Sequence, residues 1–286
     1  MSDGAAKNYS EADMRQWVKT GEGHTAESFD SADGKTMMKL YFDFVPRASI
    51  EEELRRAEAV YAMGLPTPVP GELIRYGERY GCTFGRMAGK RSFSRAIADE
   101  PEKTEEYALR FVRMAKRLHS TPCDRSVFPS YKEKMATLLQ KTGILSAEEK
   151  RKALGILERV EDADSCVHGD LHFGNVITDG SADMLIDLGD FAYGSPLFDL
   201  GSLYLLSYIS SEDNLLRHYH LSRAQHQWAW KLVARAYFDA NTEEELKEVE
   251  EKVRAYAFFD AMSKLERNPA QKDYPPFVHG FLSERE

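Results

Sequence analysis

Residues 166–201 read CVHGDLHFGNVITDGSADMLIDLGDFAYGSPLFDLG and hold the most informative side chains of this 286-residue chain. Asp170 and Asn175 lie five residues apart in a segment of the form H-x-D-x-x-x-x-N. Asp187 follows twelve residues after Asn175, directly behind the apolar triplet 184–186. The pattern predicts a polar loop followed by a two-stranded hairpin, with an acidic residue where the hairpin ends.

These three residue types suit the transfer of a phosphoryl group to a hydroxyl. A carboxylate at Asp170 would orient the incoming hydroxyl and could accept its proton. The amide oxygen of Asn175 and the carboxylate of Asp187 are hard ligands for Mg²⁺, which bridges the phosphates of ATP. The alternative is a plain polar loop and strand, with Asp187 and Asp190 ending the strand. The spacing favours the first interpretation, with ATP and Mg²⁺ as cofactors.

The segment His168–Asn175, followed by Ile186-Asp187 and Asp199-Leu200, resembles the superfamily of aminoglycoside phosphotransferases and choline kinases, and in particular bacterial phosphotransferases of that group. Residues 62–68 (AMGLPTP) and 84–89 (FGRMAG) resemble its linker and its hinge. The resemblance implies an α+β, two-lobed, protein-kinase-like fold. A small N-terminal lobe with a mixed β-sheet would precede a larger, mainly helical C-terminal lobe.

The same resemblance implies roles for residues near the loop. His168 and Asp199 would fix the shape of the loop through hydrogen bonds. His172 would approach the γ-phosphate or make a structural hydrogen bond. The family places its substrate near the turn that contains Asp190 and Tyr193. Asp190 would pair with a substrate ammonium or hydroxyl, or else cap local amides.

A kinase also needs a cation that touches the nucleotide phosphates. Lys39 is the candidate because it lies inside an apolar strand segment, whereas its rival Lys35 follows a turn. The alternative for Lys39 is an edge-strand residue that points to solvent. The resemblance implies a partner on the next helix, where Glu53 fits the family spacing best and Glu52 is the close alternative. One residue rotates a side chain by about 100° around a helix, so both stay open.

Other nucleotide contacts are predicted in the first third of the chain. Gly21 and Gly23 flank Glu22 in a predicted loop that would let backbone amides approach phosphates, with a plain hairpin turn as the alternative. Thr25 could add a hydroxyl. The resemblance to the hinge adds Arg86 and Met87 to the expected nucleotide-binding residues.

Two related enzyme classes are disfavoured. Residues 34–36 (GKT) look like the end of a phosphate-binding P-loop, but Phe29 stands where that loop needs a glycine, and a strand rather than a helix follows. A protein kinase is disfavoured because only twelve residues separate Asp187 from Asp199, which is too few for an activation segment.

Composition bounds the remaining possibilities. A net charge of −9 argues against nucleic acid as a partner and fits solubility or, more weakly, a cationic substrate. The three cysteines form no metal-type pair, so reduced thiols in the cytoplasm are expected. The N-terminus does not look like a signal peptide, and the longest apolar run, residues 203–209, is too short to cross a membrane. A monomer or a weak homodimer is expected.

The order of predicted elements agrees with the implied fold. Residues 1–88 predict a nucleotide-binding lobe of strands and one helix, with a hairpin turn at Asp33-Gly34 and a helix capped by Ser49. Residues 89–286 predict a helical catalytic and substrate-binding lobe, including a helix at 147–160 capped by Ser146. The aromatic residues of the last third predict core packing or, alternatively, a cage for a quaternary ammonium group.

The combined prediction is an ATP- and Mg²⁺-dependent phosphotransferase that acts on a hydroxyl of a small molecule, of the aminoglycoside, amino alcohol, amino acid or sugar type. The alternatives are a catalytically silent regulatory protein that binds nucleotide and, less favoured, a protein kinase. Fold and motif do not identify the acceptor.

Overall fold

The computed structural model describes residues 6–22 and 25–285, so the predicted phosphate-loop residue Gly23 lies outside the described residues. The chain forms two compact units. The first contains the chain up to Arg91 together with Ile177–Gly189, and the second contains Ser92–Val176 together with the chain from Asp190 onward. The assignment of nucleotide binding to residues 1–88 and of catalysis to residues 89–286 stays a prediction.

The first unit is built on a mixed six-stranded sheet. Its elements up to residue 91 are β1 (Lys7–Tyr9), α1 (Glu11–Met14), β2 (Trp17–Glu22), β3 (Ala26–Ser31), β4 (Thr36–Tyr41), α2 (Arg47–Ala62), β5 (Pro70–Tyr76) and β6 (Arg79–Gly85). The strand order is β1-β5-β6-β4-β3-β2, in which β1 is parallel to β5 and the other neighbours are antiparallel. The predicted turn at Asp33-Gly34 joins β3 to β4, and the amide of Gly34 donates to the carbonyl of Ser31 at 2.9 Å.

The side chains of strand β4 alternate between the two faces of this sheet, because successive side chains of a strand point in opposite directions. Met38 and Leu40 are buried on one face in a cluster with Ile74. Tyr41 is buried on the other face in a cluster with residues of α2. Lys39 has the same parity as Tyr41 and therefore lies on the face that α2 covers.

Helix starts show where local sequence signals succeed and fail. Ser146 caps its helix as predicted, and its hydroxyl accepts from the amide of Glu149 in a reciprocal capping box. The prediction that Ser49 caps α2 is wrong. The chain turns at Val45, whose amide donates to the carbonyl of Phe42, so the helix begins directly after Pro46, which has an extended backbone.

The second unit is mainly helical. From residue 91 onward the chain forms β7 (Arg91–Ser92), α3 (Phe93–Asp99), α4 (Thr104–His119), α5 (Tyr131–Lys141), α6 (Ala147–Glu158), β8 (Cys166–Val167), β9 (Val176–Thr178), β10 (Asp183–Leu185), β11 (Ala192–Tyr193), α7 (Leu197–Tyr208), α8 (Glu212–Asn214), α9 (Arg223–Phe238), α10 (Glu243–Arg267) and α11 (Tyr274–Ser283). A single π-helical turn, Leu215–Tyr219, follows α8. Of these residues, Arg91 and the part of the hairpin β9–β10 from Ile177 onward belong to the first unit.

The loop of residues 168–175 lies between β8 and β9, and β9 and β10 are neighbours in a sheet. This confirms the loop-and-hairpin prediction. Helix α10 packs along α7, where their backbones approach closely at Gly201. Over residues 6–22 and 25–285, none of the helices combines the length and apolar character that a bilayer crossing requires.

Candidate active site

In the first unit, a lysine on the central strand β4 meets a glutamate on α2. Lys39 Nζ lies 2.7 Å from Glu53 Oε1. Both side chains are about three-quarters shielded from solvent, with exposed fractions of 28% and 25%. Lys39 Nζ also lies 5.0 Å from the centre of the Tyr41 ring, in cation–π contact. The lysine is therefore held in place from two sides, and the edge-strand alternative does not describe it, since β4 pairs with strands on both sides.

The rival glutamate points elsewhere. Glu52 accepts from Arg55 Nε at 3.0 Å and from Arg56 Nε at 2.9 Å, both on its own helix. The rotation of about 100° per helical residue explains why only one of the two adjacent glutamates reaches Lys39. The structure pairs Lys39 with Glu53, the favoured of the two glutamates that the sequence left open, whereas the role of the pair in nucleotide binding stays a prediction.

A cavity of about 280 Å³ opens beside this ion pair. Its charged lining residues are Lys39, Glu53, Lys90 and Asp187. Its remaining walls are mostly apolar, formed by Met37, Ala57, Pro68, Phe84, Ile186 and Leu188, with Ser28 and Thr67. Ligand sites commonly combine apolar walls with a few convergent polar groups. The cavity thus combines apolar walls with two lysines and two carboxylates.

Asp187 has an unusual backbone conformation for a residue with a side chain. Its φ of 63° lies in the left-handed region, which non-glycine residues adopt at a cost in free energy. Such residues are concentrated at functional sites, because the surrounding structure must impose them. The strained conformation and the position in the cavity both support a functional role for this carboxylate.

Four other predicted nucleotide contacts do not line the cavity, within the described part of the chain. Gly21 is paired with Ser28 as part of β2 rather than in the expected loop, because a register shift after Lys19 lets the strand continue to Glu22. Thr25 is exposed. Met87 is buried, and Arg86 Nε lies 2.6 Å from Asp30 Oδ2, so the arginine holds β3.

In the second unit, Asp199 fixes the loop that carries Asp170. Asp199 lies in the first turn of α7 and is fully buried. Its carboxylate oxygens accept from the backbone amides of His168 and Gly169, each at 2.8 Å. Its Oδ2 also lies 3.0 Å from Nε2 of His119, at the end of α4. A buried carboxylate thereby satisfies two loop amides that water cannot reach.

The glycine of this loop is required by the backbone. Gly169 has a φ of +86°, and a Cβ at this position would lie 2.6 Å from the carbonyl oxygen of Asp190. A side chain would be strained and would also collide with backbone. The loop between His168 and Asp170 is therefore tightly specified.

Asp170 forms an ion pair that the sequence analysis did not predict. Its Oδ1 lies 2.7 Å from Lys264 Nζ, and its Oδ2 lies 3.7 Å from His172 Nε2. Burial acts to raise the pKa of the Asp170 carboxyl, but Lys264 and His172 outweigh it and hold the pKa well below the usual range. The carboxylate is therefore ionised at neutral pH and is a weak base, better suited to orienting a hydroxyl than to removing its proton early.

His172 has a structural hydrogen bond. Its Nδ1 accepts from the backbone amide of Gly174 at 3.0 Å, which leaves the proton on Nε2, the nitrogen that faces Asp170. Tyr219, at the end of the π-helical turn, packs edge-on against the His172 ring with 4.9 Å between ring centres. Single π-helical turns are frequent at functional sites.

Asn175, in the second unit, and Asp187, in the first, are the residues that the sequence predicts as Mg²⁺ ligands. The Asn175 amide nitrogen donates to the backbone oxygen of Asp170 at 2.9 Å, so its oxygen is oriented away from that bond and can serve as a ligand. Carboxamide and carboxylate oxygens are the donors that Mg²⁺ prefers, usually with several waters retained. Over the described ranges no three His, Cys, Asp or Glu side chains form a dedicated metal cluster. Each of the two side chains thus carries an oxygen that suits Mg²⁺, and their joint role in holding the ion stays a prediction.

The two predicted substrate residues lie in different surroundings. Asp190 Oδ1 lies 3.3 Å from Lys134 Nζ, and its Oδ2 lies 2.7 Å from Arg267 Nη1. Tyr193 lines a separate cavity of about 530 Å³, and the Arg125 guanidinium covers its ring at 4.8 Å. Asp190 thus has two internal cations as partners. The alternatives expected for Asp190 were a substrate group or the capping of local amides, and neither included these cations.

Lys264, Arg267 and Lys134 were missed by the sequence analysis. Lys264 is 94 residues from Asp170 along the chain, near the end of a helix with many charged residues. Lys134 is 56 residues and Arg267 77 residues from Asp190. A single sequence offers no local spacing that would connect such distant residues. For Lys264 and Arg267 the available signal was their placement in the last turn of α10, which a helix dipole also explains.

A mixed sheet bearing a lysine–glutamate pair, followed by a helical unit with an H-x-D-x-x-x-x-N loop, defines the protein-kinase-like class. Within that class, the sequence identifies the family of the chain. Residues 28–234 match the phosphotransferase enzyme family (APH), and the chain belongs to that family. The sequence-based identification of the family and of the fold is confirmed. A comparison with proteins of curated function gives no match.

Solved structures show the same fold at low sequence identity. A thermostable mutant of the aminoglycoside phosphotransferase APH(4)-Ia, in a ternary complex with ADP and hygromycin B, is 16% identical with a TM-score of 0.62, over 94% of this chain and 92% of that one. The ADP-bound aminoglycoside phosphotransferase APH(2'')-Ib is 19% identical with a TM-score of 0.58, over 93% and 91%. A choline/ethanolamine kinase family protein from Mesorhizobium loti is 14% identical with a TM-score of 0.53, over 94% and 86%.

Proposed function

We propose that this protein transfers the γ-phosphoryl group of ATP to a hydroxyl of a small molecule, with Mg²⁺ bound to the nucleotide. The observation that carries the proposal is the cavity of the first unit, in which the Lys39–Glu53 ion pair and the Asp187 carboxylate face a largely apolar space. Membership of the phosphotransferase enzyme family supports it. The complexes of structural neighbours with ADP support ATP as the donor.

Each residue would have a separate task in the reaction. Lys39, held by Glu53, would contact the nucleotide phosphates. Asp187 and Asn175 would hold Mg²⁺, which neutralises charge on the phosphates when it is bound. Asp170 would hydrogen-bond to the acceptor hydroxyl and orient its oxygen toward the γ-phosphorus. As the new O–P bond forms, the bond to the ADP oxygen breaks, and Asp170 accepts the hydroxyl proton late in the step.

ADP release tests this proposal directly. The purified protein is incubated with Mg-ATP and a panel of aminoglycosides, amino alcohols, hydroxy amino acids and sugars, with and without excess chelator. Release that one acceptor class stimulates and that the chelator abolishes is the expected result. No binding of ATP or of Mg·AMP-PNP by calorimetry would overturn the proposal. Intact nucleotide binding without stimulation by any acceptor class would instead favour the silent nucleotide-binding alternative.

A further inference from the structure

The carboxylates around Asp170 already have internal cations as partners. Lys264 Nζ lies 2.7 Å from Asp170 and 3.6 Å from Asp260, one helical turn earlier on α10. Asp190 is shared by Lys134 and Arg267. These three acids and three bases give the cluster no net negative charge. A carboxylate that is already neutralised offers little additional attraction to a cationic ligand.

Lys264 is held firmly in the position that it occupies. Its side chain is 13% exposed, and the side chain of Asp260 is 1% exposed. Burial acts to lower the pKa of Lys264, but Asp170 and Asp260 outweigh it and raise the pKa well above its usual value. The lysine therefore stays charged at any physiological pH. Removing it from its partners would leave a poorly solvated cation and at least one uncompensated carboxylate, which is strongly unfavourable.

A cationic acceptor would meet this lysine as a competitor. To place a hydroxyl on Asp170, an aminoglycoside or an amino alcohol would bring an ammonium group toward Lys264, and like charges at close range repel each other. Displacing Lys264 would exchange one ion pair for another without net gain. A neutral or anionic alcohol has neither difficulty, since its hydroxyl can use the second oxygen of Asp170 while Lys264 keeps the first.

An aromatic cage, the other means of binding an ammonium group, is not formed by the aromatic residues of α7 and α9 that contact one another. The Tyr204 ring packs against Tyr208 and Trp230, with 4.8 Å and 5.5 Å between ring centres. The polar ends of Tyr208 and Trp230 both donate to Glu250, at 2.8 Å and 3.0 Å. These rings are used for helix packing, as one of the two sequence-based interpretations expected.

We propose that Lys264 is a specificity-determining residue that excludes positively charged acceptors, so that the substrate is an alcohol without a cationic group. This inference rests on the proposed function, in which Asp170 contacts the acceptor hydroxyl. It reverses the weak expectation of a cationic substrate that net charge suggests, because the local balance of charges at Asp170 differs from the balance of the whole chain.

Acceptor binding by matched variants tests the inference. Calorimetry with Mg·AMP-PNP present compares two cationic probes, hygromycin B and choline, with neutral glucose and anionic glycerate. The wild-type protein is compared with Lys264→Gln and with Lys252→Gln, which removes an exposed lysine from the same helix. We expect Lys264→Gln to gain at least about tenfold in affinity for a cationic probe relative to glucose. The affinity of Lys252→Gln for the cationic probe relative to glucose should equal that of wild type.

Two results would overturn the inference. One is a wild-type protein that binds or phosphorylates a cationic probe better than glucose and glycerate. The other is a Lys264→Gln variant whose preference between cationic and neutral probes is unchanged. If Lys264→Gln does not fold, as judged by circular dichroism, the double variant Lys264→Gln/Asp260→Asn restores the balance of buried charge and answers the same question.

The proposed function fails separately from this inference. A protein that binds no nucleotide would refute the kinase proposal, whereas binding of the cationic probes can be compared between wild type and Lys264→Gln without nucleotide. A kinase that phosphorylates hygromycin B would refute the inference and leave the function intact.

Discussion

The two compact units each contain a lysine paired with a carboxylate at 2.7 Å, but the surroundings of the two pairs differ. In the first unit, Lys39 has one carboxylate partner and faces a cavity that is open to a ligand. In the second unit, Lys264 lies between Asp170 and Asp260 and is half as exposed, 13% against 28%. The two ion pairs thus have the same contact distance but differ in the number of carboxylates around the lysine and in its exposure to solvent.

The difference indicates different tasks for the two lysines. Lys39 has a single carboxylate partner and lines an open cavity, so a further anion such as a phosphate can approach its ammonium group. A buried lysine between two acids is fixed, since any separation leaves buried charge without a partner. We therefore expect changes at Lys39 to affect the nucleotide, and changes around Lys264 to affect the acceptor and the stability of the fold.

The largest effect is expected from Asp170→Asn. The variant keeps the size of the side chain but loses the proton acceptor, so turnover should fall by about 10²–10⁴-fold. Nucleotide affinity should stay within a factor of about two, because the lysine that we propose as the phosphate contact belongs to the other pair. ADP release and calorimetry with AMP-PNP measure the two quantities. Turnover equal to that of wild type would exclude Asp170 from the chemistry.

The next effect is expected from Lys39→Ala, with Lys35→Ala as the matched control. Loss of a fixed cation at the phosphates should lower kcat/KM for ATP by about 10²–10³-fold. Lys35 is exposed beside the β3–β4 turn, and its removal should leave kcat/KM nearly unchanged. Equal losses in both variants would show that general positive charge, rather than the held lysine, binds the nucleotide. Steady-state kinetics with varied ATP distinguish the two outcomes.

The pH dependence of stability tests the second pair. Burial raises the pKa of Asp260 to about 6, although Lys264 acts to lower it. A raised folded-state pKa gives a stabilising contribution that is complete below about pH 4 and is lost as the pH rises through about 6. Asp260→Asn cannot ionise and should escape this loss. From pH 4 to pH 7.5, its free energy of unfolding should therefore rise by about 2–3 kcal/mol relative to wild type.

Urea denaturation at the two pH values measures this change. The control is Asp179→Asn, an acid in the exposed turn after β9, which should show no comparable gain toward neutral pH. If Asp260→Asn and wild type respond identically to pH, Asp260 is not under strain from burial, and the comparison of the two lysines loses its electrostatic basis.

The parts of the molecule that were predictable are those made by neighbours in sequence. The Lys39–Glu53 pair spans 14 residues, a strand and the helix that follows it, so residue spacing and the family resemblance could favour Glu53, with Glu52 left as the alternative. The loop at Asp170 and its hairpin occupy one continuous segment. The helix cap at Ser146 depends on Glu149, only three positions further along the chain. In each case local backbone geometry determines which side chains meet.

The parts that were not predictable depend on distant residues. Lys264 reaches Asp170 only because α10 packs along α7, and neither its charge nor its helical position distinguishes it from the other lysines of that helix. The prediction that Ser49 caps α2 was wrong although serine is a favourable N-cap residue, because the turn at Val45 and the extended Pro46 start the helix earlier. The prediction of a loop at Gly21 was wrong because pairing with Ser28 extends the strand β2.

The smallest changes in stability are expected at two helical glycines of the second unit. One of them packs against a helix that is distant in sequence, and the other is surrounded only by its own helix. A Cβ at Gly201 would lie 2.6 Å from the Tyr256 carbonyl carbon and 2.7 Å from the Ala257 nitrogen, so the backbones of α7 and α10 would have to separate. Gly201→Ala should lower the free energy of unfolding by about 1–3 kcal/mol.

Among the described residues, a Cβ at Gly155, inside α6, would meet no atom within 4 Å apart from its chain neighbours and the backbone of its own helix. Gly155→Ala should therefore raise the free energy of unfolding by about 0.5–1 kcal/mol through helix propensity alone. Urea midpoints of the two variants, read against wild type at one pH, should move in opposite directions. An unchanged or raised midpoint of Gly201→Ala would mean that the contact of α7 with α10 is loose. The position of Lys264, which depends on that contact, would then be less fixed than its burial implies.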